Sequence, residues 1–223
     1  MKVIVSGSTK GIGRAIALKF LNEGHEVVGI DVLPASIQSA NYTHLTADVR
    51  GELPKIDGAN VVITSAGIQL PDEDTIDVNL KGTINTVEKY AFQPAIKSVV
   101  TIASASGRNG AEFPLYSASK GGVIAYTKNV ALRLAKYGAT ANSLSPGGVK
   151  TSVNDVVMND AKLFKAALDE SLLGKWAEPE EIADWAYFLT VTNKSMTGED
   201  ILVDNGEILK SNFIWYTSDT SCS

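Results

Sequence analysis

Tyr116 and Lys120 lie four residues apart in the segment Tyr116-Ser117-Ala118-Ser119-Lys120. If this segment is helical, side chains at positions i and i+4 share one face, so the phenol and the ammonium group are neighbours. A free tyrosine has a pKa of about 10, and a nearby positive charge stabilises the phenolate and lowers that value. The pair predicts a tyrosine that exchanges a proton near neutral pH, although the same spacing also arises by chance on a solvated helix face.

A glycine-rich segment near the start of the chain predicts a second kind of chemistry. It has the spacing Gly-x-x-x-Gly-x-Gly and joins an apolar run over 2–6 to a helical pattern over 12–22. Glycines let the backbone turn sharply and approach a pyrophosphate, whose charge is stabilised by the helix N-terminus. The placement between strand and helix therefore predicts a dinucleotide site. Its residues are Gly7, Ser8, Thr9, Lys10, Gly11, Ile12 and Gly13.

The elements that must position these residues alternate along the chain. Apolar runs predict strands over 2–6, 26–31, 42–46, 60–64, 97–102, 139–144 and 200–204, and helical patterns cover 12–22, 72–90, 117–136 and 178–190. This alternation predicts an α/β, single-domain Rossmann fold: a doubly wound parallel sheet of about seven strands with helices on both faces. No internal repeat or linker divides the chain. We expect one dinucleotide-binding catalytic domain over 1–210 and a tail over 211–223.

The connection from the third predicted strand to the fourth is short. Residues 49–59 contain Gly51, Pro54 and Gly58, which leaves too little room for a crossover helix. If the two strands lie three positions apart in the sheet, the gap is ~14 Å at ~4.8 Å per strand. Eleven extended residues reach ~35 Å, so the connection is feasible without a helix.

Composition and charge exclude several functions. The formal net charge of −5 supplies no basic stripe for a nucleic-acid backbone. The only histidines, His25 and His44, lie far from the serine-rich segments, which argues against a Ser-His-Asp hydrolase, and with Cys222 they make a poor zinc site. No apolar stretch approaches the ~20 residues that cross a bilayer, and no signal-peptide pattern precedes the first strand. We expect a cytoplasmic protein without a metal, a membrane partner or a nucleic-acid partner.

The glycine spacing and the Tyr-x-x-x-Lys pair together resemble the short-chain dehydrogenase/reductase family, whose fingerprint is Thr-Gly-x-x-x-Gly-x-Gly. Ser6 stands in place of the threonine and keeps a hydroxyl. Further matches follow in the family's order, as Asp48-Val49, Ala66-Gly67, Asn79-x-x-Gly, a serine-bearing strand end and a Pro-Gly loop. At the motif level, 3-oxoacyl-carrier-protein reductase-like and hydroxysteroid dehydrogenase-like members are similar. Thr64-Ser65 replaces the family's two asparagines.

The resemblance implies a role for each matching residue. Tyr116 acts as general acid and base, Lys120 lowers its pKa together with the nicotinamide ring, and Ser104 orients the substrate oxygen, with Ser106 as the fallback. Asn79 loosens its helix and holds a water that extends the proton path. The implied cofactor contacts beyond the glycine loop are Asp31, Asp48, Val49, Ser65, Ala66, Gly67, Tyr116, Lys120, Pro146, Gly147, Val149 and Thr151.

Two residues bear on which dinucleotide binds. Asp31 ends the second strand, where a carboxylate accepts hydrogen bonds from the ribose hydroxyls and repels a 2′-phosphate. Lys10 argues for the 2′-phosphate, because relatives that prefer NADP often carry a basic residue there. A phosphate of about two negative charges beside a carboxylate costs more than an exposed lysine returns. We therefore predict NAD over NADP.

These expectations define a hypothesis of function. The chain is predicted to transfer a hydride between NAD(H) and a secondary alcohol or ketone of a small molecule. Two alternatives stay open: an NADPH-dependent enzyme resembling 3-oxoacyl-carrier-protein reductases, and a non-catalytic regulator that binds the cofactor. Residues 153–173 are predicted to form a lid over the substrate. Because family members are commonly dimers or tetramers, we expect the apolar run Phe213-Ile214-Trp215-Tyr216 to lie at a homo-oligomer interface.

Overall fold

The structure of the protein is a computed structural model that describes residues 1–70 and 73–210. The predicted interface run in the tail, residues 213–216, lies outside the described residues. The strands are β1 (Lys2–Ser6), β2 (Glu26–Asp31), β3 (Tyr42–Thr46), β4 (Val61–Thr64), β5 (Ser98–Ile102), β6 (Thr140–Pro146) and β7 (Asp200–Val203). The α-helices are α1 (Gly11–Asn22), α2 (Gly82–Tyr90), α3 (Ser106–Asn109), α4 (Pro114–Leu134), α5 (Asp155–Met158), α6 (Ala161–Leu168) and α7 (Pro179–Tyr187).

The seven strands form one parallel sheet in the order β3-β2-β1-β4-β5-β6-β7. The order reverses between β1 and β4, and in such sheets ligands bind beyond the carboxyl ends of the strands at this switch point. The predicted doubly wound fold is confirmed. The reversal places the loop after β1 and the loop after β4 side by side, with Ser65 N–H donating to the Ser6 carbonyl at 3.1 Å.

The core is divided by the sheet into two layers. Along β1, Val3 and Val5 face one layer with α1 and α7, while Ile4 faces the other layer with α2 and α4. The alternation follows from the pleat, which points successive side chains to opposite faces. Both faces of each central strand are therefore buried, which explains the continuous apolar runs that predict the strands.

The helix that carries Tyr116 begins earlier than predicted. The sequence pattern predicts a start at Ser117, whereas α4 begins at Pro114. Proline fits the first position of a helix because its fixed φ is helical. An N–H group at that position would have no partner within the helix, so proline loses nothing by lacking one. Tyr116 therefore lies in the first turn of α4, at the end of the helix that faces the carboxyl edge of the sheet.

The connection from β3 to β4 contains no helix, as expected, and is fastened to α2 instead. The Asn85 amide donates to the carbonyls of Val49 and Gly51, both at 2.8 Å. The Tyr90 hydroxyl donates to the Pro54 carbonyl at 2.7 Å, and Leu53 is buried with 3% exposure. This segment thus covers the part of the sheet that a crossover helix would otherwise cover.

Candidate active site

The glycine loop after β1 folds tightly onto the loop after β4. Gly7 has φ +71°, and a Cβ there would lie 2.6 Å from the Ala66 nitrogen. A Cβ on Gly13 would collide with the Gly7 carbonyl oxygen, so the first turn of α1 packs directly on the loop. Only glycine allows this approach at both positions. The result is a shallow cradle of backbone at the N-terminus of α1, where an anionic phosphate is stabilised.

Asp31 organises the glycine loop from the end of β2. Its carboxylate accepts hydrogen bonds from the Thr9 N–H at 3.1 Å, from the Thr9 hydroxyl at 2.8 Å and from the Leu33 N–H at 3.0 Å. A carboxylate offers about four acceptor positions, so capacity remains for a ribose hydroxyl. Asp31 also lines the main cavity, which places its negative charge at the wall of the site.

Two residues of the predicted loop lie behind that wall. Ser8 is fully buried, and its hydroxyl pairs with the Tyr42 hydroxyl at 3.0 Å. Thr9 is buried against Asp31 and lines a smaller neighbouring pocket rather than the main cavity. Both side chains hold the loop in shape. Any contact that they make with a cofactor must therefore come from their backbone.

The other predicted cofactor contacts line one continuous cavity of about 760 Å³. Lys10 lies at its wall near the glycines, and the loop after β4 contributes Ser65, Ala66 and Gly67. The Ser6 hydroxyl accepts from the Ala66 N–H at 3.4 Å, so it helps to fix that loop. The predicted residues that line the cavity are Gly7, Lys10, Gly11, Ile12, Gly13, Asp31, Asp48, Val49, Ser65, Ala66, Gly67, Ser104, Tyr116, Lys120, Pro146, Gly147, Val149 and Thr151.

Beside the glycine loop, Asp48 is paired with an arginine that sequence reasoning did not single out. The Arg50 guanidinium lies 2.7 Å from the Asp48 carboxylate and 3.3 Å from that of Asp74. Hydrogen bonds from the Arg50 side chain and backbone lower the pKa of Asp48. Arg50 lines the cavity, so this end of the site presents a neutralised pair rather than a free carboxylate.

Lys120 lies under Tyr116, on the same face of α4. Its Nζ is 5.8 Å from the centroid of the Tyr116 ring and donates to the Ile102 carbonyl at 3.0 Å. Lys120 is only 6% exposed, and this burial lowers its pKa to about 8. The ammonium form therefore still predominates at neutral pH, and the predicted juxtaposition of phenol and cation is present.

The pKa of Tyr116 departs from the expectation. Burial raises it to about 12, the hydrogen bond with Ser104 lowers it by less, and the Glu112 carboxylate raises it further. The prediction of a lowered pKa considered the positive charge of Lys120. It did not consider that the phenolate loses hydrating water in the protein, which opposes ionisation. With the protein's own groups, desolvation is therefore the stronger effect, and an added positive charge at the site would be needed to offset it.

The structure distinguishes between the two candidate serines. Ser104 lines the cavity at the end of β5, and its Oγ accepts from the Ser106 N–H at 3.2 Å. Ser106 begins α3 and is buried outside the cavity lining. Because Ser104 also lowers the pKa of Tyr116, its hydroxyl lies near the phenol and is the one that can meet a substrate oxygen there.

Asn79 lies behind the cavity in a widened turn, the π-helix Ile76–Lys81 that precedes α2. Its Oδ1 accepts from the Ile68 N–H at 2.8 Å, and its Nδ2 donates to the Ile68 carbonyl at 2.9 Å and to the Ser119 hydroxyl at 3.1 Å. Such a bulge is the loosened helix that the resemblance implies. Asn79 thus ties the loop beyond Gly67 to α4.

The Pro-Gly loop after β6 forms a further part of the cavity wall. The Pro146 carbonyl accepts from the Ala105 N–H at 2.8 Å, which fixes the loop beside Ser104. Thr151 comes close to the glycine loop, since a Cβ on Gly11 would lie 3.3 Å from its methyl group. Pro146, Gly147, Val149 and Thr151 thus line the wall where the resemblance places the nicotinamide.

At the far end of the cavity lie polar and aromatic side chains that sequence reasoning missed. Gln69 follows β4, Trp176 precedes α7, and three glutamates, Glu112, Glu170 and Glu207, come from three separate loops. They share no spacing or periodicity that could have revealed them. The positive φ of +70° at Glu112 marks an unusual backbone, but this too is invisible in the sequence.

The described part of the chain offers little support for other kinds of site. No helix within residues 1–70 and 73–210 has the length and apolar character that a membrane crossing requires. In the same residues, no group of three or more His, Cys, Asp or Glu side chains could hold a metal ion. The glycine cradle, the N-terminus of α1 and the Asp31 carboxylate fit an anionic dinucleotide with ribose hydroxyls.

Comparison with known proteins identifies the class. A family model described as enoyl-(acyl carrier protein) reductase matches residues 38–207, more than half of the chain. A solved short chain dehydrogenase family protein from Francisella tularensis is 25% identical, with a TM-score of 0.83 over 94% of this chain and 99% of that one. The chain belongs to the short-chain dehydrogenase/reductase family, which confirms the resemblance seen in its motifs.

The relatives agree on the type of reaction. The chain is 27% identical to 3-oxoacyl-[acyl-carrier-protein] reductase FabG of Staphylococcus aureus, over 91% of this chain and 96% of the relative. It is 26% identical to glucose 1-dehydrogenase of Gluconobacter oxydans, over 95% and 93%. A putative 2-deoxy-D-gluconate 3-dehydrogenase from Agrobacterium tumefaciens, solved with bound NADP, is 26% identical, with a TM-score of 0.81 over 94% and 96%. The protein is an oxidoreductase of CH–OH or carbonyl groups that uses a nicotinamide cofactor.

Proposed function

We propose that the protein interconverts a secondary alcohol and a ketone with NAD(H), and that Tyr116 is its general acid and base. The observation that carries this proposal is the meeting of Tyr116, Lys120 and Ser104 in the cavity that the glycine cradle also lines. A bound nicotinamide dinucleotide supplies or accepts the hydride. We assign residues 1–210 as the catalytic domain.

In this mechanism the chain's own residues move the proton and orient the substrate. The Ser104 hydroxyl holds the substrate oxygen beside the phenol, which restricts the oxygen to a productive orientation. Tyr116 donates its proton to that oxygen in ketone reduction and accepts it in alcohol oxidation. Lys120 stabilises the phenolate, and its own hydrogen bond to the Ile102 carbonyl fixes the ammonium group in place. Asn79 keeps α4 and the loop after β4 in register behind them.

Replacing Tyr116 with Phe tests the role of the phenol. We expect turnover to fall by about 10²–10⁴-fold, the usual contribution of a general acid or base, while dinucleotide affinity is retained. Tyr126→Phe is the matched control, because Tyr126 is on the same helix and its hydroxyl donates to Glu88 at the surface. Substantial activity in Tyr116→Phe would defeat the assignment.

The preference for NAD rests on the charge at the end of β2. Asp31 lines the cavity and holds the glycine loop, so a 2′-phosphate would meet its carboxylate. Lys10 also lines the cavity, and its positive charge would favour the 2′-phosphate of NADP. Arg50 is a second cation at the cavity, but its charge is already paired with Asp48 and Asp74. Repulsion by a fixed carboxylate therefore favours the dinucleotide without the phosphate.

Isothermal titration with the four dinucleotides tests this preference. We expect NAD(H) to bind wild-type protein more tightly than NADP(H), and Asp31→Asn to narrow that difference by about tenfold, because one like-charge contact is removed. Asp57→Asn, an exposed site outside the cavity, is the control. Binding of NADP(H) at least as tight as that of NAD(H) to wild type would overturn the choice.

The second candidate is an NADPH-dependent reductase of 3-oxoacyl esters. It is favoured by the Staphylococcus aureus relative, which is a 3-oxoacyl-[acyl-carrier-protein] reductase, and by the NADP bound in the Agrobacterium tumefaciens structure. A cofactor-linked screen over secondary alcohols, sugars and 3-hydroxyacyl esters distinguishes the two candidates. If no substrate in a wide panel changes the nicotinamide absorbance, the non-catalytic alternative is favoured instead.

A further inference from the structure

The far end of the substrate cavity concentrates negative charge. Glu112, Glu170 and Glu207 all line it, and each comes from a different loop. The neighbouring charges that act on Glu207 are all carboxylates, namely Asp204, Glu112 and Glu170. Within the described residues, no lysine, arginine or histidine forms an ion pair with any of the three lining glutamates.

This end of the cavity is contiguous with the catalytic groups. Glu112 acts electrostatically on Tyr116 and Lys120 and also on Glu207, so it lies near the catalytic pair and near a second carboxylate. A ligand held in this region would therefore lie beside the proton-transfer groups. A metal ion is not the explanation, because the glutamates do not form a group that could hold one in the described part of the chain.

An aromatic side chain stands beside the carboxylates. The Gly148 N–H donates to the Glu207 carboxylate at 3.1 Å, and a Cβ on Gly148 would collide with the Trp176 indole. Glu207 and Trp176 are therefore neighbours across one glycine. Phe164 packs edge-on against the indole with ring centroids 5.3 Å apart, which fixes its orientation. A rigid indole face next to carboxylates is the arrangement that attracts an organic cation.

The known hydrogen bonds do not use up these carboxylates. Glu207 accepts one backbone N–H, and Glu112 accepts from the Gln69 amide. Each carboxylate has about four acceptor positions. Burial, partly offset by that N–H, raises the pKa of Glu207, because its charge is costly there without a cation. A ligand that brings a positive charge would relieve this cost, whereas an anionic ligand would add to it.

Resting on the proposed function, we infer that the substrate is an amino alcohol or amino ketone, whose protonated nitrogen is held by Glu207, Glu170 and Trp176. In oxidation, the substrate's C–H bond breaks with its electron pair leaving as hydride to the nicotinamide. The O–H proton passes to Tyr116 and the carbonyl double bond forms. The nitrogen keeps its charge throughout and serves only for recognition. Phosphorylated and carboxylated substrates would be repelled by the same charge.

A series of three small alcohols isolates the charge. 1-Amino-2-propanol, 1,2-propanediol and 3-hydroxybutanoate share a secondary alcohol and differ in a cationic, neutral or anionic group. Isothermal titration of the enzyme saturated with the reduced dinucleotide, which cannot accept a hydride from an alcohol, measures their binding without turnover. We expect the amine to bind about tenfold or more tightly than the diol, as one aromatic and ionic contact to an ammonium group would give, and the acid to bind most weakly.

Variants then assign the preference to the side chains. Glu207→Gln and Glu170→Gln should each reduce the advantage of the amine over the diol by about tenfold, and Trp176→Leu should also reduce it. Glu199→Gln, an exposed glutamate ahead of β7, is the matched control and should leave it unchanged. Circular dichroism verifies that each variant is folded, and three separate positions keep the test decisive if one variant is not.

The outcomes separate this inference from the proposed function. Equal or tighter binding of the diol or the acid, absence of amine binding, or an unchanged preference in all the folded cavity variants would overturn the inference. None of these binding results tests the role of Tyr116 in proton transfer. Failure of the proposed function is read separately, from retained turnover in Tyr116→Phe.

Discussion

Replacing Lys120 with Met tests the electrostatic link between the lysine and the phenol. Methionine keeps much of the side-chain volume and removes the charge. The ammonium nitrogen is 5.8 Å from the Tyr116 ring centroid. If the phenolate charge is placed at the ring centroid, its interaction with the ammonium group at an effective dielectric constant of ~20 is ~3 kcal/mol. This corresponds to about two pH units in the pKa of Tyr116, or about a hundredfold in rate.

The direction of the pH dependence follows from the charge states. Alcohol oxidation needs the phenolate, so kcat/KM rises as pH rises through the pKa of Tyr116. Loss of the cation raises that pKa, and the rising limb of the profile should move about two pH units higher in Lys120→Met. Because burial lowers the pKa of Lys120 to about 8, the wild-type lysine loses its own charge above that value. The two profiles should therefore converge at alkaline pH.

The assay follows nicotinamide absorbance during alcohol oxidation between pH 6 and 10, at saturating dinucleotide. Lys128→Met, on the exposed face of the same helix, is the control and should reproduce the wild-type profile. If Lys120→Met gave a rate reduced by a constant factor at every pH, the lysine would position ligands without tuning the phenol. The charge of Lys120 would then not control the pKa of Tyr116.

Two further predictions concern the scaffold of the site. Leu53→Ala should lower the free energy of unfolding by about 2–4 kcal/mol in urea titration, because the Leu53 side chain anchors the β3–β4 connection in the core. Glu52→Ala, at an exposed neighbouring position, should change it little. A loss below about 0.5 kcal/mol would mean that the segment does not depend on this anchor. Asn79→Ala should lower kcat about tenfold or more with KM for dinucleotide nearly unchanged, since the contacts to Ile68 and Ser119 hold the catalytic wall. A change in KM alone would contradict that role.

The parts of the site that could be predicted are those encoded by local spacing. Tyr116 and Lys120 share a helix face because they are four residues apart. The glycine loop indicates a phosphate-binding turn because it lies between a strand and a helix. Alternating apolar runs likewise predict the parallel sheet, since each strand is buried on both faces. The ends of helices are predicted less accurately: the sequence pattern predicts that α4 begins at Ser117, whereas it begins at Pro114. A proline in the first turn is itself a signal of a helix start.

The parts that could not be predicted depend on tertiary contacts. Glu112, Glu170 and Glu207 converge only because three loops meet at the carboxyl edge of the sheet. The raised pKa of Tyr116 reflects burial, which no spacing reveals. Motif resemblance alone did not show that the Ser8 side chain pairs with Tyr42 behind the cavity wall.

The helix α2 and the π-helical turn before it form one unit that contacts both ends of the site. The β3–β4 connection depends on this unit because it contains no crossover helix. At one end of this unit, Asn79 fixes the loop and the helix that flank Lys120. At the other, Asn85 holds the β3–β4 connection at Val49, and a Cβ on Gly82 would lie 2.5 Å from the Val49 side chain. Without a crossover helix to anchor it independently, the wall beside Asp48 takes its position from the same unit that positions the proton-transfer groups. A displacement of this unit would therefore alter dinucleotide binding and proton transfer together.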